Sequence, residues 1–136
     1  MTTGYSGTPL AKKLGIKEGF GVLPVNAPDN YSELLDPLPA NVTVSETPSK
    51  ELDLIHFFTN GRDELFRGLA VYKNLIKQDG MIWVSWYKKA AKLPTEITED
   101  TVREAAFPLG LVDVKVCAVD EKWSGLKLVI RRENRK

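Results

Sequence analysis

The chain has almost nothing from which to build a metal centre or a disulfide: one cysteine, Cys117, and one histidine, His56, in 136 residues. A lone cysteine excludes an internal disulfide and fits a reducing compartment. No cluster of Cys and His has ligand spacing, so no metal site is expected. Neither sign of charge prevails, because 19 basic residues meet 18 acidic ones for a net charge of +1. No global field draws the chain toward nucleic acid, and any anion site has to be local. Nor does any apolar run approach the roughly 20 residues that a spanning helix needs. Met1 to Gly7 is polar and glycine-bearing, unlike a secretion signal. The expectation is a cytoplasmic protein without a membrane partner.

What the chain does have is one strongly apolar stretch, Met81-Ile82-Trp83-Val84-Ser85-Trp86-Tyr87, preceded by Asp79-Gly80 and closed by Lys88-Lys89. An apolar run with polar ends reads as a strand buried on both faces. The remaining segments can be placed as layers against it, giving a single α/β domain over residues 1–136, with 1–19 as an N-terminal arm and short helix.

Thr8 to Gly15 has the grammar of a short helix, with Thr8 as cap, Pro9 at the first turn and Gly15 as left-handed stop. Phe20 to Asn26 reads as a strand in which Pro24 removes a ladder donor, so it is bulged, short or at an edge. Tyr31 to Leu35 is a brief helix shut off by Pro37 and Pro39. Val42-Thr43-Val44 and Leu52 to Phe58 are strands, the second more apolar and more central. Asn60 opens the best helix as a candidate cap. Leu65, Leu69, Tyr72 and Ile76 recur along it at helical spacing, and Lys77 closes it before Gly80. Thr98-Glu99-Asp100 starts a last helix that Pro108 shortens and Gly110 ends. Val112, Val114 and Val116 alternate with polar residues as a half-buried strand. Leu126, Leu128 and Ile130 form its antiparallel neighbour, Trp123-Ser124-Gly125 lies in the connection, and the charged tail from Arg131 frays.

Strand–helix–strand–strand–helix–strand–helix–hairpin implies a three-layer α/β sandwich, its sheet mostly parallel with a C-terminal antiparallel hairpin. This order resembles the methyltransferase-type Rossmann-like fold. Three blocks resemble a bacterial family of unknown function, domain-of-unknown-function family 3052. Gly4-Tyr5-Ser6-Gly7-Thr8-Pro9-Leu10-Ala11-Lys12-Lys13-Leu14-Gly15-Ile16 is similar to its opening, Trp86-Tyr87-Lys88-Lys89 to its middle signature, and Leu111 to Lys127 to its end. Asp29 to Ser49 carries no matching signature, and Pro24 and Pro108 depart from the pattern. The resemblance implies a small stand-alone bacterial protein and brings no activity with it.

Ligands of open parallel sheets bind beyond the carboxyl ends of the strands. The loops Asn26–Asn30, Thr59–Gly61 and Tyr87–Lys92 are expected to meet there. The first reads Asn-Ala-Pro-Asp-Asn where a dinucleotide or S-adenosylmethionine protein carries its glycine-rich turn, so backbone cannot approach a phosphate in the usual way and no cofactor is assigned. Asn26, Asn60, Lys88 and Lys89 are the candidate ligand residues. The two ammonium groups, with Lys92 near, and the amides after Asn60 suit a phosphate or carboxylate. Lysines at a strand end that simply stay in water explain the same pattern. Glu46, 20 residues after Asn26, stands where a ribose-binding acid falls, and it is equally an ordinary loop acid. Trp83, Trp86 and Tyr87 serve as core or as a homodimer surface ahead of a base-stacking platform.

Catalytic residues are not assigned. A Ser-His or Cys-His nucleophile can use only His56, which sits inside a strand pattern where packing explains it, and Cys117 reads as an inert buried thiol. The leading expectation is a non-catalytic Rossmann-like protein with a weak anion or nucleotide-type pocket and a regulatory or scaffolding role. A divergent S-adenosylmethionine-dependent methyltransferase and a structural protein-interaction module are the alternatives.

Overall fold

Prolines and glycines close the helices of this chain early, so its strands supply most of the core. The computed structural model describes residues 9–135. Helix α1 (Leu10–Leu14) stops at Gly15, whose φ of 84° is the left-handed conformation that glycine adopts without strain. Pro9 takes the N-cap position, and Thr8, the expected cap, lies outside the described residues. Then come β1 (Gly21–Val25), α2 (Tyr31–Leu35), β2 (Thr43–Val44), β3 (Leu52–Phe58) and α3 (Arg62–Tyr72). β4 (Ile76–Tyr87), α4 (Glu99–Ala106), β5 (Leu111–Ala118) and β6 (Trp123–Ile130) complete the fold. α4 begins with a reciprocal capping box between Thr98 and Thr101.

The strands form one sheet in the order β2-β1-β3-β4-β6-β5. β2, β1, β3 and β4 run parallel, while β6 lies antiparallel to β4 and β5 to β6. Alternation splits the side chains between two layers. Ile55, Phe57, Ile82, Val84, Trp86 and Leu126 pack against Leu65 and Leu69 of α3 and Val102 and Ala105 of α4. Leu54, Phe58, Met81, Trp83 and Trp123 pack against Leu10 and Leu14 of α1 and Tyr31 and Leu35 of α2. Trp83 is fully buried, and its indole N–H donates to the carbonyl of Leu14 at 2.9 Å, so no polar cost attaches to that burial. The three-layer α/β sandwich and the buried central strand match expectation.

Pro24 is accommodated by the brevity of β2. Phe20 and Val22 direct their carbonyls to Thr43 and Ser45. By alternation the donor that Pro24 lacks would point the same way, where β2 has already ended at Val44.

Several expectations need correction. Ile76 belongs to β4, not to α3, and Gly80 lies inside that strand, not ahead of it. Between Leu52↔Ile76 and Leu54↔Met81 the β4 side carries extra residues, and a Cβ on Gly80 would sit 3.0 Å from the Leu52 carbonyl oxygen. Lys77 in this bulge pairs with Asp53 at 3.0 Å. Gly61, not Asn60, is the N-cap of α3. Trp123, Ser124 and Gly125 are the first residues of β6. Val114 and Val116 are 54% and 50% exposed, because β5 is an edge strand with little packed over it. The tail is tied down through Arg135, whose Nε donates to the carbonyl of Ile130 at 2.9 Å.

Candidate functional site

Strand order reverses between β1 and β3, and the side chains beyond their carboxyl ends bond to one another. Asn26, at φ 58°, leaves β1 and donates from Nδ2 both to the Phe58 carbonyl and to Glu64 Oε2, each at 3.2 Å. Thr59 Oγ1 donates to the other Glu64 oxygen at 2.5 Å. Asn60 Oδ1 accepts the backbone N–H of Tyr87 at 2.8 Å, which joins the ends of β3 and β4. The three expected loops therefore do meet.

Their meeting engages several of the groups a ligand would use. Glu96 N–H donates to the Asn60 carbonyl, and Glu96 Oε1 accepts from the Arg62 backbone N–H at 2.7 Å. A carboxylate of the chain itself thus occupies the first turn of α3, where a helix N-terminus attracts anions. Asp63 and Glu64 add two more acids to the same turn. Neither Glu64 nor Glu96 was among the sequence candidates, and Glu96 lies in a loop with no motif.

What stays open is a shallow groove of about 540 Å³ between the end of β1 and α3. Val25, Phe57, Val71 and Tyr72 give it apolar walls, and Asn26, Asp63, Glu64 and Arg67 give it polar ones. Gly68 lets α3 approach the sheet there: a Cβ at this position would lie 2.5 Å from the Phe57 ring. Burial, and then the charge of Glu64, raise the Tyr72 hydroxyl above its ordinary value, so it stays protonated. Both Glu64 oxygens are already hydrogen-bonded, and Asp63 faces Arg67 at 3.6 Å.

Of the sequence candidates, Asn26 alone lines this groove. Asn60 is engaged with Tyr87. Lys88 follows β4, with its backbone N–H on the Lys122 carbonyl, and Lys89 is exposed in a 3-10 turn, Lys89–Ala91. Glu46 is exposed beyond β2. Trp83, Trp86 and Trp123 are all buried, so core packing takes the tryptophans. Among the described residues no group of three or more His, Cys, Asp or Glu side chains could hold a metal. Nor is any helix among them long and apolar enough to cross a membrane.

His56 sits away from the rim, on the α2 face. Its Nδ1 lies 2.6 Å from the Tyr31 hydroxyl and its Nε2 2.7 Å from Ser85 Oγ. Burial lowers its pKa to about 3, so the ring is neutral. A neutral imidazole carries one N–H and one lone pair, and each here meets a hydroxyl. The expected packing histidine is present, with two polar partners that sequence spacing did not reveal. Cys117 is half-buried at the sheet edge, and its thiol is raised by burial against the opposing charges of Lys13 and Lys115.

The chain matches the family described as "Protein of unknown function (DUF3052)" over residues 32–132. No curated protein matches it. Among solved structures it is similar to a SAM-dependent methyltransferase from Aquifex aeolicus, at 17% identity and a TM-score of 0.65, covering 90% of this chain and 88% of that one. It is similar also to the magnesium protoporphyrin IX methyltransferase of Synechocystis PCC 6803 with bound SAM, at 11% identity and a TM-score of 0.64, covering 90% and 74%. A third, a ribosomal protein L11 methylase from Lactobacillus delbrueckii subsp. bulgaricus, has 11% identity, a TM-score of 0.56 and coverages of 90% and 75%. At such identities the likeness is one of fold.

Proposed function

The chain belongs to the family of proteins of unknown function DUF3052, and from that premise we propose that it is a non-catalytic Rossmann-like module with a regulatory or scaffolding role. The observation that carries this reading is the closure of its own ligand edge. In methyltransferase-type folds a cofactor lies across the strand ends at the switch point, approached by a glycine turn. Here Asn26 spans that point to Phe58 and Glu64, and Glu96 holds the Arg62 amide. The residues present do not fit S-adenosylmethionine at that point. The groove beside Asn26 is a pocket left open there, suited to weak binding of an anionic nucleotide.

Tryptophan emission tests this reading, because Trp86 is buried in the layer that also holds Val25, Phe57 and Tyr72, on the groove's side of the sheet. Titration with nucleotides is expected to give a weak saturable change that Asn26→Ala removes. No change with any nucleotide would defeat the pocket. A saturable response to micromolar S-adenosylmethionine would instead favour a divergent methyltransferase, the reading for which the fold neighbours speak.

A further inference from the structure

The C-terminal hairpin carries an arrangement that neither the rim nor the groove uses. In its register Asp113 stands opposite Leu128 and Lys115 opposite Lys127, so Val114 is an extra residue on β5, a β-bulge. A bulge of this kind sends the side chains beyond it to the other face of the sheet. Asp113, before it, lies on the α4 face, where Arg103 Nε donates to its Oδ2 at 3.1 Å. Lys115, after it, lies on the α1 face, its Nζ donating to the carbonyl of Lys13 at 3.4 Å. An unbroken alternation would have put Asp113 and Lys115 side by side. The bulge separates this acid from this base and sets Lys115 against another lysine.

Like charges directly opposite on an antiparallel pair are destabilising. Burial, then the charges of Lys115 and Lys17, hold the half-buried Lys127 ammonium below its ordinary value. Among the described residues none of the ion pairs takes in Lys17, Lys115 or Lys127.

We propose that Lys115 and Lys127 form a binding site for a compact phosphate-bearing anion on the α1 face of the hairpin. Two ammonium groups on paired strands match a group with several charged oxygens, and such a group would relieve their mutual repulsion. A net charge of +1 confines the positive field to a local patch, which favours a small anion over a nucleic-acid backbone. The site is separate from the rim: Lys127 pairs with Trp83 in β4, whereas the rim begins at Tyr87, opposite Trp123.

Pyrophosphate titrated into the full chain at low ionic strength, followed by amide NMR shifts and calorimetry, tests the site. Saturable shifts at Lys115 and Lys127 are expected. Lys115→Gln and Lys127→Gln should each weaken binding by about tenfold or more, as loss of one charge-assisted contact implies, and Lys50→Gln should not. Lys115→Glu should abolish binding and raise the melting temperature of the free protein, a readout independent of any ligand. Absence of saturation, or unchanged affinity in both glutamine variants, would overturn the proposal. So would binding of a short single-stranded RNA that pyrophosphate fails to displace.

Discussion

His56 Nε2 lies 2.7 Å from the hydroxyl oxygen of Ser85, and both residues are fully buried. With Tyr31 on the other ring nitrogen, the imidazole ties α2 to two neighbouring strands. Tyr31→Phe removes one hydroxyl and leaves a buried ring nitrogen without a partner, which costs about 1–3 kcal/mol. Urea denaturation should show the midpoint falling with the slope unchanged. An unchanged midpoint would mean that the Tyr31 bond contributes nothing.

The same ring makes stability depend on pH. Its pKa is lowered to about 3 in the fold, against about 6.5 when unfolded, so on acidification the unfolded chain takes up the proton first. Above pH 6.5 both states are neutral and the group contributes no slope. As pH falls from 6.5 toward 3, the fold loses about 1.4 kcal/mol per unit from this group. Denaturation at pH 7, 6 and 5 should show His56→Gln less stable at neutral pH but losing less on acidification than the parent. Parallel losses in the two proteins would contradict the assignment.

Gly68 separates local propensity from packing. Alanine is the better helix former by about 1 kcal/mol, yet its methyl would stand 2.5 Å from the ring of Phe57, which is 1% exposed. Overpacking against an immobile ring costs about 1–3 kcal/mol. Gly68→Ala should therefore lower the melting temperature, and a rise would show that α3 can lift away from the sheet.

Asn60 tests how the rim is held. Asn60→Ala leaves the Tyr87 N–H without its 2.8 Å acceptor, at a cost of about 1 kcal/mol for a half-buried group. Amide exchange at Tyr87 should accelerate, while exchange at Ile82 and Val84, in the middle of the same strand, should not. Equal rates before and after substitution would show that the bond does not form in solution.

The architecture was readable because runs such as Leu52–Phe58 and Met81–Tyr87 are too apolar to lie anywhere but inside a sheet covered on both faces. Bulges defeated the finer reading. A strand that begins at Ile76 and kinks at Gly80 looks, by spacing alone, like a helix ending before a strand. Val112, Val114 and Val116 alternate cleanly in sequence, so nothing there announces that Val114 is extra and that Asp113 and Lys115 face opposite ways. At the candidate site the loops were legible, but their interlocking was not. That Asn26 would reach Glu64, or that Glu96 would settle on the Arg62 amide, follows from chain paths that spacing does not encode.

Asn26 and Glu96 close the strand ends with groups of the chain itself. Calorimetric titration of the intact protein with S-adenosylmethionine to millimolar concentration tests this closure most directly. No saturable heat is expected. Stoichiometric binding at micromolar concentration, weakened by substitution of Asn26, would contradict it.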